Sequence, residues 1–370
     1  MEAFHSTKKL AVKPHTKKHT NESISYWSAG FIGFHLVQKL ISNNVEVIGM
    51  DVLNDYYDVK LKEDRLKQCG INIKINGDVE LNQSTVYANY SFKKIGLEDC
   101  TALEKLFEDH QFDMVCHLAA QTGARHSVEN PHIYMASNVV GFLNVLELCK
   151  AYKIKHLIYA SSSSVYGLNE NVPYKEESNT VHPVSLYAAT KKSNELMAHV
   201  YSSIYGLPTT GLRFFTVYGP WGRPDMSPFL FTKAILEGSP INIFNEGDMI
   251  RDFTYIDDIV EGIYKTLLTI PQINPEWNAT IPDPSYSKAP YKIYNIGNGQ
   301  PIKLMNFIEE LEQALNTKAL KNMLPMQPGD VYQTNADCSK IQNDISFSPN
   351  TNLKIGIKKF VDWYIKYYNI

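Results

Sequence analysis

Ala29-Gly-Phe-Ile-Gly-Phe-His-Leu-Val-Gln-Lys-Leu-Ile-Ser42, followed shortly by Val45-Glu-Val-Ile-Gly-Met-Asp51, decides the fold. Apolar residues at Phe31, Ile32, Leu36, Leu40 and Ile41 recur with a helical period, which predicts a helix over 31–42 packed on a sheet. The second run is β-prone and ends in an acid, which predicts a buried strand. The alternation continues along the chain. Helices are expected over 101–110, 134–152 and 185–205, and strands over 114–119, 157–160 and 209–214. Strand and helix in turn predict an α/β fold, a doubly wound parallel sheet with crossover helices. After about Gly219, Pro and Gly become frequent. Residues 271–290 read as a loop-rich insert, and Leu353 to Tyr368 as a closing amphipathic helix. The chain therefore divides into an atypical extension over 1–22, a sheet domain over 23–215 and a smaller α/β substrate-binding lobe over 216–370.

Composition narrows the class. The 370 residues are 44% hydrophobic and 20% charged, which suits a soluble globular protein. A net charge of −3 without a basic stripe argues against nucleic acid as a partner. No apolar run reaches membrane-spanning length. Cys69, Cys100, Cys116, Cys149 and Cys338 lack paired spacing, so reduced, buried thiols in a cytoplasmic protein are expected, without a zinc site or disulfide frame. The first 22 residues are rich in Lys and His and lack the apolar segment of a signal peptide. They read as disordered or tag-like.

Three patterns carry chemistry. In Ser185-Leu-Tyr-Ala-Ala-Thr-Lys-Lys192, Tyr187 and Lys191 stand at i and i+4, on one helix face. An ammonium beside a phenol favours phenolate, so the Tyr187 pKa is expected to fall and Tyr187 to accept a proton near neutral pH. Alone, the spacing is a weak signal and more often marks a core tyrosine with a solvated lysine. Leu157-Ile-Tyr-Ala-Ser-Ser-Ser-Ser-Val-Tyr-Gly167 places Ser162 at the carboxyl end of a strand, where open α/β sheets bind ligands. Four serines also suit a plain turn. Last, a glycine turn, a helix and an acid ending the next strand are the parts of a dinucleotide site. Gly30 lets backbone approach a pyrophosphate, Ile32 completes the turn, and Gly33 lets the helix pack closely. Asp51 accepts from a ribose, and its charge disfavours a 2′-phosphate, so NAD is expected over NADP. Small Ala119 and Ala120 would let the strand exit run against the same ligand, and Arg125 beyond them would meet an anion.

Together these patterns resemble the extended short-chain dehydrogenase/reductase family, and within it the NAD-dependent epimerases and dehydratases. The resemblance implies a Rossmann-type fold, a catalytic set of Ser162, Tyr187 and Lys191 on bound NAD, and no metal. It implies cofactor contacts for Gly30, Ile32, Gly33, Asp51, Ala119, Ala120 and Asn138, as well as Tyr187 and Lys191. Leu212-Arg-Phe-Phe-Thr-Val-Tyr-Gly-Pro-Trp-Gly-Arg-Pro-Asp-Met226 is similar to the UDP-glucuronate 4-epimerases of that family. So are Leu53-Asn-Asp-Tyr-Tyr-Asp58, Ala119-Ala-Gln-Thr-Gly-Ala-Arg-His-Ser127 and Met326-Gln-Pro-Gly-Asp330. That similarity implies inversion at C4 of a UDP-sugar through a 4-keto intermediate. It puts Arg251 on the diphosphate, Arg223, Thr216 and the Ser162 loop on the sugar carboxylate, Asp330 near the uridine ribose and Arg125 on an anion. It also implies a homodimer through paired helices.

The chain departs from the family at three positions. The first glycine of the family's turn falls on Trp27, where a bulky residue at positive φ costs on the order of 1–3 kcal/mol. An indole there is also expected to crowd a pyrophosphate. The preceding Ser23-Ile-Ser-Tyr is a poor version of a buried strand. Gly96 stands where relatives often have Asp, and Gln327 where many have Arg. Two alternatives therefore stay open: a related sugar-nucleotide epimerase or decarboxylase, and an inactive sugar-nucleotide binder.

Overall fold

The structure is a computed structural model that describes residues 28–73, 80–327 and 330–370, and the backbone of 22–26. The expectations for residues 1–21 and for Trp27 lie outside the described residues.

The strands are β1 (Glu22–Tyr26), β2 (Glu46–Asp51), β3 (Asn82–Gln83), β4 (Tyr90–Lys94), β5 (Met114–His117), β6 (His156–Ser162), β7 (Thr209–Phe214), β8 (Thr216–Tyr218), β9 (Ile241–Phe244), β10 (Ile250–Tyr255), β11 (Tyr291–Ile296), β12 (Pro301–Lys303) and β13 (Lys321–Leu324). The helices are α1 (Phe31–Ser42), α2 (Val59–Gln68), α3 (Cys100–Asp109), α4 (His126–Glu129), α5 (Pro131–Tyr134), α6 (Gly141–Ala151), α7 (Leu186–Tyr205), α8 (Ser227–Leu236), α9 (Ile256–Leu267), α10 (Leu304–Leu315), α11 (Ser339–Ile345) and α12 (Leu353–Tyr368). The helical stretch expected over 134–152 is broken into α5, a π-helical turn at Met135–Val140 and α6.

Eight strands form the main sheet in the order β11-β7-β6-β5-β1-β2-β4-β3. All neighbours in it are parallel except β3 and β4. The weak-looking segment before Trp27 is thus a central strand, paired on both sides. Its pairing with β2 and β5 overrides its poor apolar content. The strand order reverses between β1 and β5, and ligands of open α/β sheets bind outside the carboxyl ends of the strands at such a point. Two apolar cores cover the sheet. Leu103, Leu106, Phe142, Leu146 and Ala198 pack with Val115 and Leu157 on one side. Leu36, Val37, Ile259 and Ile263 pack with Val47, Cys116 and Ile158 on the other.

Beyond Phe215 lie the small sheets β12-β10-β8 and β13-β9. The chain does not stay there. Helix α9 returns to pack on α1, and β11 returns to pair with β7 at the sheet edge. The segment over 216–370 therefore builds both the lobe and part of the sheet layers. Four of the five cysteines are buried, and Cys100 is exposed. Its place at the first turn of α3 puts it on the helix's outer side. None of the described helices is long and apolar enough to cross a membrane.

Helix α7 starts where Ser185 Oγ accepts from Ala188 N and ends at Gly206 in the left-handed region. It is pinned to the sheet by a fully buried ion pair. Glu195 Oε1 accepts from Arg213 Nε at 2.8 Å, and Oε2 from Arg213 Nη2 at 3.0 Å. Ser161 and Lys192 also donate to the same carboxylate. Burial opposes ionisation of Glu195, but Arg213, Lys192 and Ser161 together outweigh it and hold the pKa down to about 2 from an ordinary 4.5. A depressed carboxylate contributes stability above its unfolded pKa and loses it as pH falls through the folded one. Removing one partner of such a pair typically costs about 3–5 kcal/mol. We expect Glu195→Gln to lower the urea midpoint strongly at pH 7 and the difference from wild type to shrink between about pH 4.5 and 2. A constant difference across that interval would show that the charge on Glu195 is not what stabilises the fold.

Candidate active site

A cleft of about 970 Å³ opens between the carboxyl edge of the main sheet and the lobe. Gly30, Ile32, Gly33, Ala120, Arg125, Ser162, Tyr187, Lys191, Thr216, Arg223, Arg251 and Asp330 all line it. Residues distant in sequence meet here because β1, β5 and β6 end at the same edge and α7 runs beneath it.

At the floor, β6 ends in a short 3-10 turn, Ser163–Tyr166, capped by Ser162 Oγ, which accepts from Ser164 N at 3.1 Å. Gly167 closes the turn at φ +53, where a Cβ would lie 2.0 Å from the His182 carbonyl oxygen, so only glycine fits. Ser162 stands beside the Tyr187 phenol and favours its ionised form. One turn further along α7, Lys191 Nζ donates to the Ala160 carbonyl at 2.8 Å.

The charge states differ from the expectation for this pair. Burial pushes the Tyr187 phenol up, against the opposing pull of Ser162 and Arg223. Burial also drives Lys191 down, to about 7 from 10.5. Desolvation disfavours the charged form of both groups. A lysine partly neutral at pH 7 is a weak source of positive charge, so helical spacing alone does not lower the tyrosine.

At the glycine turn, Asp51 is buried. Its Oδ1 accepts from Leu53 N at 2.8 Å, while Oδ2 has no partner among the described residues. Burial raises its pKa, opposed by Lys62 and by Leu53 N. Asp51, Ala119 and Asn138 do not line the cleft. Asn138 sits in the π-helical turn with its amide used internally. Its Oδ1 accepts from Gln121 N at 2.7 Å, and Nδ2 donates to Gln121 O and Thr190 Oγ1. It fastens the strand exit to α7.

Across the cleft, Arg223 is gripped by Asp225, which accepts from Nε at 3.0 Å and from Nη2. Burial opposes the Arg223 charge, but Asp225 outweighs it and raises the pKa. Arg251 donates to the carbonyls of Ile250, Val331 and Tyr332, and burial lowers its pKa. Arg125 pairs with Asp330 at 2.6 Å and stands over the Phe244 ring. Sequence reasoning missed Tyr56, Lys62 and Asp225, which also line the cleft. Val59–Gln68 is dense in charge, yet Lys62 within it is 3% exposed, with Nζ donating to Asn54 O and Oδ1. No periodicity marks that residue.

The model of the NAD dependent epimerase/dehydratase family matches residues 28–297. "Protein CapI" of Staphylococcus aureus is 53% identical over 341 residues, 92% of this chain and 97% of that protein. A "Probable UDP-glucuronate 4-epimerase" of Rhizobium meliloti is 45% identical over 347 residues, covering 92% and 96%. Among solved structures, the UDP-glucuronic acid 4-epimerase of Bacillus cereus in complex with UDP-glucuronic acid and NAD superposes with a TM-score of 0.80 at 32% identity, over 94% of this chain and all of that one.

Proposed function

The chain belongs to the NAD dependent epimerase/dehydratase family, and on that premise we infer that it is an enzyme that uses NAD to invert C4 of UDP-glucuronate, giving UDP-galacturonate through a 4-keto sugar. The observation that carries this reading is one cleft in which Ser162, Tyr187 and Lys191 face Thr216 and Arg223. One side supplies proton chemistry at a sugar hydroxyl, and the other a cation and a hydroxyl for a carboxylate. A neutral-sugar enzyme has no use for the second. The residues at the glycine turn fit NAD. Gly30 to Gly33 leave an open wall on the cleft, and the orphaned Asp51 Oδ2 is an acceptor at the end of the next strand.

NAD, when bound, supplies the redox chemistry that no side chain has, taking hydride from C4 and returning it with no net redox. The side chains manage protons and orientation. Tyr187 takes the proton of the 4-hydroxyl and gives it back, with Ser162 fixing the phenol. For this the phenol must ionise. Arg223 already pulls it down against burial, and Lys191 adds to that pull when protonated. Arg251 anchors the diphosphate, with Arg125 and Asp330 towards the uridine end, so that the keto sugar turns and presents its other face. A 4-keto uronate is a β-keto acid and loses CO2 readily. Arg223 and Thr216 hold its carboxylate by charge-assisted bonds and oppose that loss. In this reading, residues 23–215 hold the cofactor and 216–370 supply most of the sugar-nucleotide site.

The partner is a second copy of the chain. Val140 at the end of the π-helical turn and Leu143 on α6 are exposed, as are Leu196, Val200 and Ile204 on α7, and α6 packs against α7. Contiguous apolar surface of this kind marks an interface, and the i, i+4 spacing suits helix pairing across a two-fold axis. The five unpaired cysteines support a cytoplasmic location. Recovery of the protein outside the cytoplasm on cell fractionation would overturn that placement.

Three measurements test this function. Purified protein should convert UDP-glucuronate to UDP-galacturonate. A UDP-pentose with released CO2, or faster turnover of UDP-glucose, would refute the assignment. Tyr187→Phe should abolish conversion while UDP-sugar affinity stays within about twofold, and more than a few per cent of residual rate would remove Tyr187 as the proton acceptor. Arg223→Ala should weaken UDP-glucuronate far more than UDP-glucose, since a charge-assisted bond contributes roughly 1.5–3 kcal/mol. Equal losses would move Arg223 off the carboxylate. For the dimer, wild type should sediment at twice the chain mass and Leu196→Glu/Val200→Glu at the chain mass. A monomeric wild type would refute the pairing.

A further inference from the structure

Arg65, on the inner face of α2, is 0% exposed. Its guanidinium donates to four oxygens from three separate stretches. Nη1 bonds the Ala29 carbonyl at 2.8 Å and the Tyr57 hydroxyl at 2.7 Å. Nη2 bonds the carbonyls of Trp221 at 2.7 Å and Gly222 at 3.2 Å. None of the four acceptors is a carboxylate. Its Nε has no hydrogen-bond partner among the described residues, and a buried cation held only by neutral oxygens is a costly way to fill space.

What Arg65 joins gives it a use. Ala29 leads into the glycine turn at Gly30. Tyr57 follows Tyr56, and Gly222 precedes Arg223. Tyr56 and Arg223 meet through Asp225, which accepts from the Tyr56 hydroxyl at 3.4 Å and grips the Arg223 fork. Trp221 is held at φ +60, a strained setting for an aromatic residue. Its ring packs on Phe34 and Trp363, while its carbonyl is fixed by Arg65. The neighbouring Asp64 accepts from Tyr367 on α12 at 2.8 Å, which ties α2 to the same aromatic cluster. Arg65 thus holds the two carbonyls that immediately precede Arg223.

We propose that Arg65 is a positioning residue for sugar recognition, which ties the glycine turn to the segments carrying Tyr56 and Arg223 and so aims Arg223 at the sugar carboxylate. The proposal rests on the reading of Arg223 given above. It accounts for the Leu53–Asp58 segment, whose Tyr56 and Tyr57 both line the cleft, Tyr57 bonded to Arg65 and Tyr56 to Asp225. A lysine cannot replace the planar fork, because three donors on one nitrogen do not span oxygens arranged around a guanidinium.

The test measures dissociation constants of UDP-glucuronate and UDP-glucose on NAD-loaded wild type, Arg65→Lys and Arg223→Ala. Arg65→Lys should weaken UDP-glucuronate by roughly tenfold or more, the scale of a misaligned charge-assisted contact. UDP-glucose, which lacks the carboxylate, should change by less than about twofold on the same grounds. An Arg65→Lys protein of lower melting temperature but unchanged preference between the two sugars would make Arg65 a packing residue and overturn the proposal. Should Arg65→Lys not fold, Tyr57→Phe removes one of its acceptors at little structural cost. A reduced preference for UDP-glucuronate then supports the proposal, and an unchanged one overturns it. If Arg223→Ala loses preference and neither other variant does, only the Arg65 proposal fails. If Arg223→Ala weakens both sugars equally, the carboxylate assignment fails and takes this one with it.

Discussion

The ion pair between Glu195 and Arg213 sets the geometry of the cleft floor. Its two charges lie out of water, so their geometry is enforced by the cost of separating them. Glu195 is on the helix that carries Tyr187 and Lys191. Ser161, which donates to it, is the neighbour of Ser162. Arg213 is on β7, and its remaining donors reach the Tyr166 hydroxyl and the Glu176 carbonyl. The Tyr166 ring stacks on Tyr174 at 4.4 Å, and its hydroxyl donates to Asn295 on β11. One guanidinium therefore indexes the helix, the serine turn and two strands against one another. Proton transfer needs donor and acceptor placed to within a fraction of an ångström, and this network supplies a rigid frame for it.

Much of the fold was legible in the chain. The period of Phe31–Ser42 and the apolar runs at Val47–Met50 and Leu157–Ala160 gave their elements and the doubly wound class, because burial on both faces leaves a dense apolar signature. What stayed hidden depended on pairing between distant strands. Nothing in Ser23–Tyr26 announces a central strand, since its place comes from β2 and β5 on either side. Helix α2 is dense in charge and carries no apolar period to mark it, and only the fold turns Lys62 and Arg65 inward. The return of α9 and β11 to the sheet is likewise a matter of topology. Within the cleft, motifs brought most of the singled-out residues to one surface. Asp225 and Tyr56 lie within motif segments that give them no role, and only their contacts with each other and with Arg223 reveal one.

The charge states were not legible. Spacing says that Tyr187 and Lys191 share a face, but their pKa values depend on how much water surrounds them. Both are pushed towards neutrality by burial. A site of this kind stays electrostatically quiet until further charge enters it, and cations around the cleft then act at low dielectric, where each counts for more than in water. Arg223, already paired with Asp225, is the cation across the cleft that pulls on the Tyr187 phenol.

The return of the chain from lobe to sheet has a mechanical consequence. The polypeptide leaves the sheet at Phe215, comes back at Ile256 to run under α1, forms β11, and departs again after Ile296. The lobe is therefore a loop-out of the sheet, sewn to it at several points rather than hung from one linker. A single hinge cannot swing such a body open, because each seam would have to yield together. Relative motion is confined to small sliding of packed surfaces, the shear mode of domain movement.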